Sequence, residues 1–163
     1  MGQMIKVGMA DLKICKAPDA VTTLGLGSCI GIAIRDPQTK IGGLAHIMLP
    51  DSTQMSSQSH NIPKFADTGC KELVDQIVKA GANRTRLVAK IAGGAQMFAF
   101  QSGGNDMMAV GERNANAVRK ILGELKIPIL AQDCGLNYGR TVEFYPETGD
   151  YVIKAVGKPV KTI

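Results

Sequence analysis

Residues Cys29 to Met48 constrain the fold more than any other stretch. Isoleucines at 30, 32 and 34 alternate with Cys29, Gly31, Ala33 and Arg35. From Lys40 onward, Leu44 and His46 fall on one face, and Ile41, Ala45 and Ile47 on the other. A period of two over such lengths is the pattern of β-strands with one apolar face. Asp36-Pro37-Gln38-Thr39 lies between them, and aspartate followed by proline is a turn signal. The stretch therefore reads as an antiparallel hairpin. With Arg35 paired to Lys40, paired numbers sum to a constant, and Cys29 falls opposite His46. One face is then an apolar core, and the other carries a thiol and an imidazole over small residues. A slip of one residue would destroy both features together.

Elements to either side follow from the same reasoning. Met4–Val7 and Leu12–Lys16 are short apolar runs suited to edge strands, and Ala20–Leu24 is extended and β-branched. Gly25 and Gly27 allow a tight turn just before Cys29. Lys64–Ala80 and Glu112–Leu125 carry apolar residues at helical spacing. Leu87–Ala92, Ile129–Asp133, Arg140–Tyr145 and Tyr151–Val156 read as further strands, the last two joined by the turn Pro146–Gly149. Strands outnumber helices and only some alternate with them. The expected class is α+β, helices layered on a mixed β-sheet sandwich. At 163 residues with 45% hydrophobic content, one domain spanning 1–163 is expected.

Charge and cysteine usage narrow the function. The net charge is +5, but lysine and arginine are scattered singly, so no nucleic-acid patch is expected. No leader-like or membrane-spanning apolar run is evident, which points to a cytoplasmic protein with reduced thiols and no membrane insertion. Cys15, Cys29, Cys70 and Cys134 form no CxxC pair, and His46 and His60 lack zinc-ligand spacing, so no metal or cofactor is expected. A redox-sensor role is disfavoured, because Cys29 has no resolving cysteine near it in sequence. Cys70 falls on the apolar side of its helix and reads as core.

A thiol beside an imidazole has a definite chemistry. The imidazole takes the proton of the attacking sulfur and returns it to the leaving group. With ammonia as leaving group, the outcome is amide hydrolysis through a thioester. Peptide N–H groups around Gly27, Ser28 and Cys29 are candidate oxyanion donors. Thr22, Thr23 and Ser28 are the hydroxyl candidates for orienting the imidazole. The apolar stretch Met97, Phe98 and Phe100 and the polar loop 50–63, which contains His60, are candidate partner surfaces beside the site.

Five segments, LGLGSCIGIAIRD, GGLAHIMLP, AKIAGGAQMF, VGERNANAV and DCGLNYGRTVEFYPETG, resemble in order the chemoreceptor glutamine deamidase family, CheD. The resemblance implies Cys29 as nucleophile, His46 as base and Thr23, six residues before the cysteine, as the third catalytic residue. It implies an α/β sandwich related to Cys–His deamidase toxins. The implied reaction converts glutamines of methyl-accepting chemotaxis receptors to glutamate at membrane-bound receptor arrays. Hydrolysis of glutamyl methyl esters, and binding of the phosphatase CheC, are also implied. A mainly non-enzymatic adaptor acting on CheC and receptors is the competing expectation.

Overall fold

The computed structural model describes residues 2–52, 61–96 and 110–163. Among these lie β1 (Met4–Val7), β2 (Asp11–Lys16), β3 (Ala20–Leu26), β4 (Ile30–Asp36) and β5 (Ile41–Ile47). They are followed by α1 (Ala66–Lys79), β6 (Val88–Gly93), α2 (Val110–Glu124), β7 (Ile129–Cys134), β8 (Arg140–Tyr145), β9 (Asp150–Lys154) and β10 (Lys161–Thr162). The strands form two mixed five-stranded sheets, ordered β1-β3-β8-β9-β10 and β2-β5-β4-β6-β7. The fold is α+β, as the pattern of elements predicts. β1 and β2 are edge strands, each in a different sheet.

Two cores follow from the alternation in β4 and β5. Ile30, Ile32, Ile34, Ala45 and Ile47 point to one side, where Leu73 and Ile77 of α1 and Val118 and Leu122 of α2 cover them. Cys70 is buried in this layer, as expected. Ala33 and Leu44 point to the other side, into a second core with Val21, Leu26, Val142, Phe144 and Tyr151 of the facing sheet. Helices, inner sheet and outer sheet are therefore stacked as three layers. The face read from sequence as carrying the thiol and imidazole over small residues is the inter-sheet interface.

Gly31 shows how close that interface is. A Cβ there would lie 2.7 Å from the Tyr151 hydroxyl and 3.0 Å from Leu26 Cδ1. The Tyr151 hydroxyl in turn donates to the Gly31 carbonyl at 2.8 Å. The small residues of β4 are small because a second sheet rests on them.

The hairpin register differs from the expected one. Ile30 pairs with Ile47, Gly31 with His46, and Asp36 with Ile41. Asp36 thus belongs to the strand, and the connection runs from Pro37 to Lys40, with Lys40 at φ +59°. The cause is the Asp36 side chain. It is fully buried and accepts from Gln38 N, Asn83 N, and Arg86 Nε and Nη2 at 2.8–3.0 Å. These bonds hold Asp36 at the strand end, and Lys40 N closes the turn on its carbonyl at 2.8 Å. The register moves by two residues. Both strands keep their inward and outward faces, since side chains repeat every two residues, but the directly opposed partner of His46 becomes Gly31.

The Asp36 cluster carries a stability prediction. Its bonds to Arg86, then those to the backbone, hold the Asp36 carboxyl well below the usual carboxylate range. Below pH ~4 the unfolded chain takes up this proton while the folded chain does not, so stability rises with pH through that range. The contribution is complete above pH ~4 and fades on acidification. Asp36→Asn should cost about 1.5–3 kcal/mol at neutral pH, and less at pH ~3. Urea unfolding of both proteins at the two pH values reads this directly. Parallel losses on acidification would rule out Asp36 as the source.

Candidate active site

The imidazole is set first. His46, near the end of β5 and beside the central strand β4 of the inner sheet, is fully buried. It points across the inter-sheet space toward β3, where Thr23 Oγ1 lies 2.8 Å from His46 Nδ1. Thr23 is also fully buried, and its hydroxyl donates to the Val7 carbonyl of β1 at 2.7 Å. A hydroxyl has one proton. Donated to Val7, it leaves Thr23 only lone pairs for the histidine, so Nδ1 carries the proton. Nε2 is then the basic nitrogen, and it has no hydrogen-bond partner among the described residues. Of the other two hydroxyl candidates, Thr22 points elsewhere and donates to the Val142 carbonyl at 2.7 Å. For Ser28, it is the backbone that is engaged, as described next.

Cys29 lies just before β4 and packs against the inter-sheet core, on the face that carries His46. It is not directly opposite the histidine. Gly31 holds that place, and Cys29 is its diagonal neighbour two residues back. Three successive carbonyls shape the turn around the thiol. Ala95 N donates to Gly27 O, Asn114 Nδ2 to Ser28 O and Gly94 N to Cys29 O, each at 2.9 Å. In a trans peptide the C=O and the following N–H point in opposite directions. Carbonyls held by Ala95 and Asn114 therefore turn the N–H groups of Ser28 and Cys29 away from those partners. Gly93 makes this packing possible. It has φ +115°, and a Cβ there would run into the Cys29 carbonyl oxygen.

Burial sets the resting charges. It raises the Cys29 thiol above its ordinary value and lowers the His46 imidazole below its own. The resting pair is thus a neutral thiol and a neutral imidazole.

Two supporting residues escape the sequence reading. Asn114 is fully buried on α2, and its Nδ2 bonds both Ser28 O and Met48 O at 2.9 Å. The signal was available: Gly111, Asn114, Ala115, Val118, Ile121 and Leu122 form the buried stripe of α2, and one of them is an amide. Arg140 is buried too, pairs with Asp133 at 2.9 Å, and donates to the Gly93 and Gly135 carbonyls. It steadies the end of β6 that holds Cys29. Met97, Phe98, Phe100 and His60 lie outside the described residues, as does most of loop 50–63. Among the described residues no group of side chains is suited to a metal ion, and no helix is long and apolar enough to cross a membrane.

Two stacked mixed sheets under a helical layer, with a threonine–histidine bond at their interface and Cys29 on the same face, define an α+β protein with a candidate active site between its sheets. The family model described as CheD chemotactic sensory transduction matches residues 48–155. A probable chemoreceptor glutamine deamidase CheD of Lachnoclostridium phytofermentans is 62% identical over the full length of both chains. The chemoreceptor glutamine deamidase CheD of Halalkalibacterium halodurans is 50% identical, again over both full lengths. That of Bacillus licheniformis is 46% identical, covering 98% of this chain and 95% of its own. The chain belongs to the CheD family.

Proposed function

We propose that this chain is a protein-glutamine deamidase acting on chemotaxis receptors, with Cys29 as nucleophile, His46 as general base and acid, and Thr23 as the residue that orients the imidazole. The observation that carries the reading is the chain of bonds from Val7 through Thr23 to His46, which leaves Nε2, on the face of Cys29, without a partner among the described residues. The names of the full-length relatives supply the substrate class.

His46 Nε2 accepts the thiol proton while Sγ attacks the glutamine side-chain carbonyl. The N–H groups of Ser28 and Cys29, beyond the Gly27 turn, receive the developing oxyanion. The imidazolium returns the proton to the nitrogen, ammonia leaves, and a thioester remains. Water, activated by the same imidazole, hydrolyses the thioester to glutamate and restores the thiol. A glutamyl methyl ester enters the same acyl-enzyme with methanol as leaving group. CheC is the second proposed partner. The surface assigned to partners, Met97, Phe98 and Phe100, is a proposal from sequence alone.

A receptor cytoplasmic fragment incubated with the protein should gain glutamate at selected glutamines and release equimolar ammonia, read by mass spectrometry and ammonia assay. An intact fragment would overturn the reading, and CheC binding without conversion would favour an adaptor. The pH profile has a definite sign. Since burial lowers the imidazole, His46 stays a base to lower pH than a free histidine, and the acid limb of kcat/KM should lie below pH ~6.5. A limb at or above that value would show a solvated or ion-paired imidazole.

A further inference from the structure

The β4–β5 ladder ends at Ile30 and Ile47, and beyond it the two chains part. Met48 N and Leu49 N turn to the Lys64 carbonyl, at 2.7 and 3.0 Å, while the Cys29 carbonyl is taken by Gly94 N. The residues that carry the thiol and follow the imidazole are therefore not held together by the sheet. One side chain spans the gap. Asn114 places both protons of a single amide on carbonyls from the two parted strands, Ser28 O and Met48 O, each at 2.9 Å.

This contact is unusual for its setting. Asn114 is fully buried in the apolar stripe of α2, and its Oδ1 has no hydrogen-bond partner among the described residues. The orphaned acceptor destabilises the fold and offsets part of what the two donated bonds contribute. What the amide adds is control over the Ser28–Cys29 peptide. Its carbonyl is pinned to Asn114, so its N–H is aimed in the opposite direction. That N–H belongs to the residue whose sulfur attacks.

We infer that Asn114 is a positioning residue for the reaction, holding the Ser28–Cys29 peptide so that the Cys29 N–H is aimed at the oxyanion, and tying that peptide to the strand end that follows His46. The inference rests on the thiol–imidazole reading of the site. It requires Asn114 to act on the transition state more than on substrate binding, because donors of this kind strengthen as charge develops.

The test compares wild type, Asn114→Ala and Asn114→Ser on the receptor fragment, with rates taken per folded molecule from circular dichroism below each thermal transition. Asn114→Ala should lower kcat about 10–100-fold, the range expected when a reacting group loses its alignment, with KM within about 2-fold. Asn114→Ser keeps one donor and should fall between. Alkylation of Cys29 by iodoacetamide needs the thiol but no oxyanion donor, so its rate, followed on the Cys29 peptide by mass spectrometry, should change by less than about 3-fold. Variants that only melt earlier, with unchanged kcat in the folded protein, would overturn the inference. So would kcat and alkylation falling in proportion, which marks general loosening of the turn. An active wild type with unaffected variants refutes this inference alone, whereas a wild type that converts no glutamine refutes the reaction and the inference together.

Discussion

Cys29→Ala should abolish glutamine conversion, with a loss of about 10⁴-fold or more, while the protein stays folded. Thiol acidity does not single out this cysteine. Burial raises all four thiols, Cys15 to about 11 and Cys70 to about 12. Cys29 is set apart by its neighbours: it lies on the face of a buried imidazole whose Nε2 has no partner among the described residues, and its peptide flanks are fixed by three carbonyl bonds. Cys70 has no such setting, since it is fully buried among the apolar side chains beneath α1. The two substitutions should separate cleanly. Cys29→Ala removes activity and changes stability by about 1 kcal/mol or less, whereas Cys70→Ala keeps activity and costs about 1–2 kcal/mol through the cavity it leaves. Mass spectrometry of the receptor fragment and thermal unfolding of each variant read both effects. Conversion that persists in Cys29→Ala would remove the proposed nucleophile.

Much of this arrangement was legible in the sequence, and the reasons differ by element. The alternation in β4 and β5 is local, so the two strands and their faces could be read directly. The register could not, because it depends on Asp36, whose partners Asn83 and Arg86 lie far along the chain. The error was two residues, and a period of two hides such a shift. Beyond the β8–β9 hairpin, the pairing that builds the outer sheet left no local trace either. Thr22 of β3 pairs with Glu143 of β8, and no nearby turn joins those strands. From sequence Gly31 and Ala33 read only as small residues under the thiol and imidazole; Gly31 is small because Tyr151 and Leu26 pack on it. Thr23 was singled out by family resemblance, not by spacing. Its strand belongs to the other sheet, so only the three-dimensional fold brings it to His46.

His46 and Thr23 should lose activity in a fixed order that reports how they are connected. His46→Ala removes the base and should lower kcat/KM by about 10³–10⁴-fold. Because the side chain is fully buried, it also leaves a cavity and costs about 1–3 kcal/mol; activity must be measured on folded protein. Thr23→Val keeps the shape of the side chain but removes the acceptor for Nδ1–H. The imidazole can then turn, or carry its proton on Nε2, where it cannot serve as base. A loss of about 100-fold is expected, smaller than for His46 because part of the population keeps the useful tautomer. Thr23→Ser restores the hydroxyl and should recover most of the rate. The decisive comparison is the double variant. If Thr23 acts only through the imidazole, Thr23→Val has no further effect once His46 is alanine, because residues that work as a unit are not additive. Losses that multiply in the double variant would mean that Thr23 meets the substrate itself, and the bond from Val7 through Thr23 to His46 would then be packing and not catalysis.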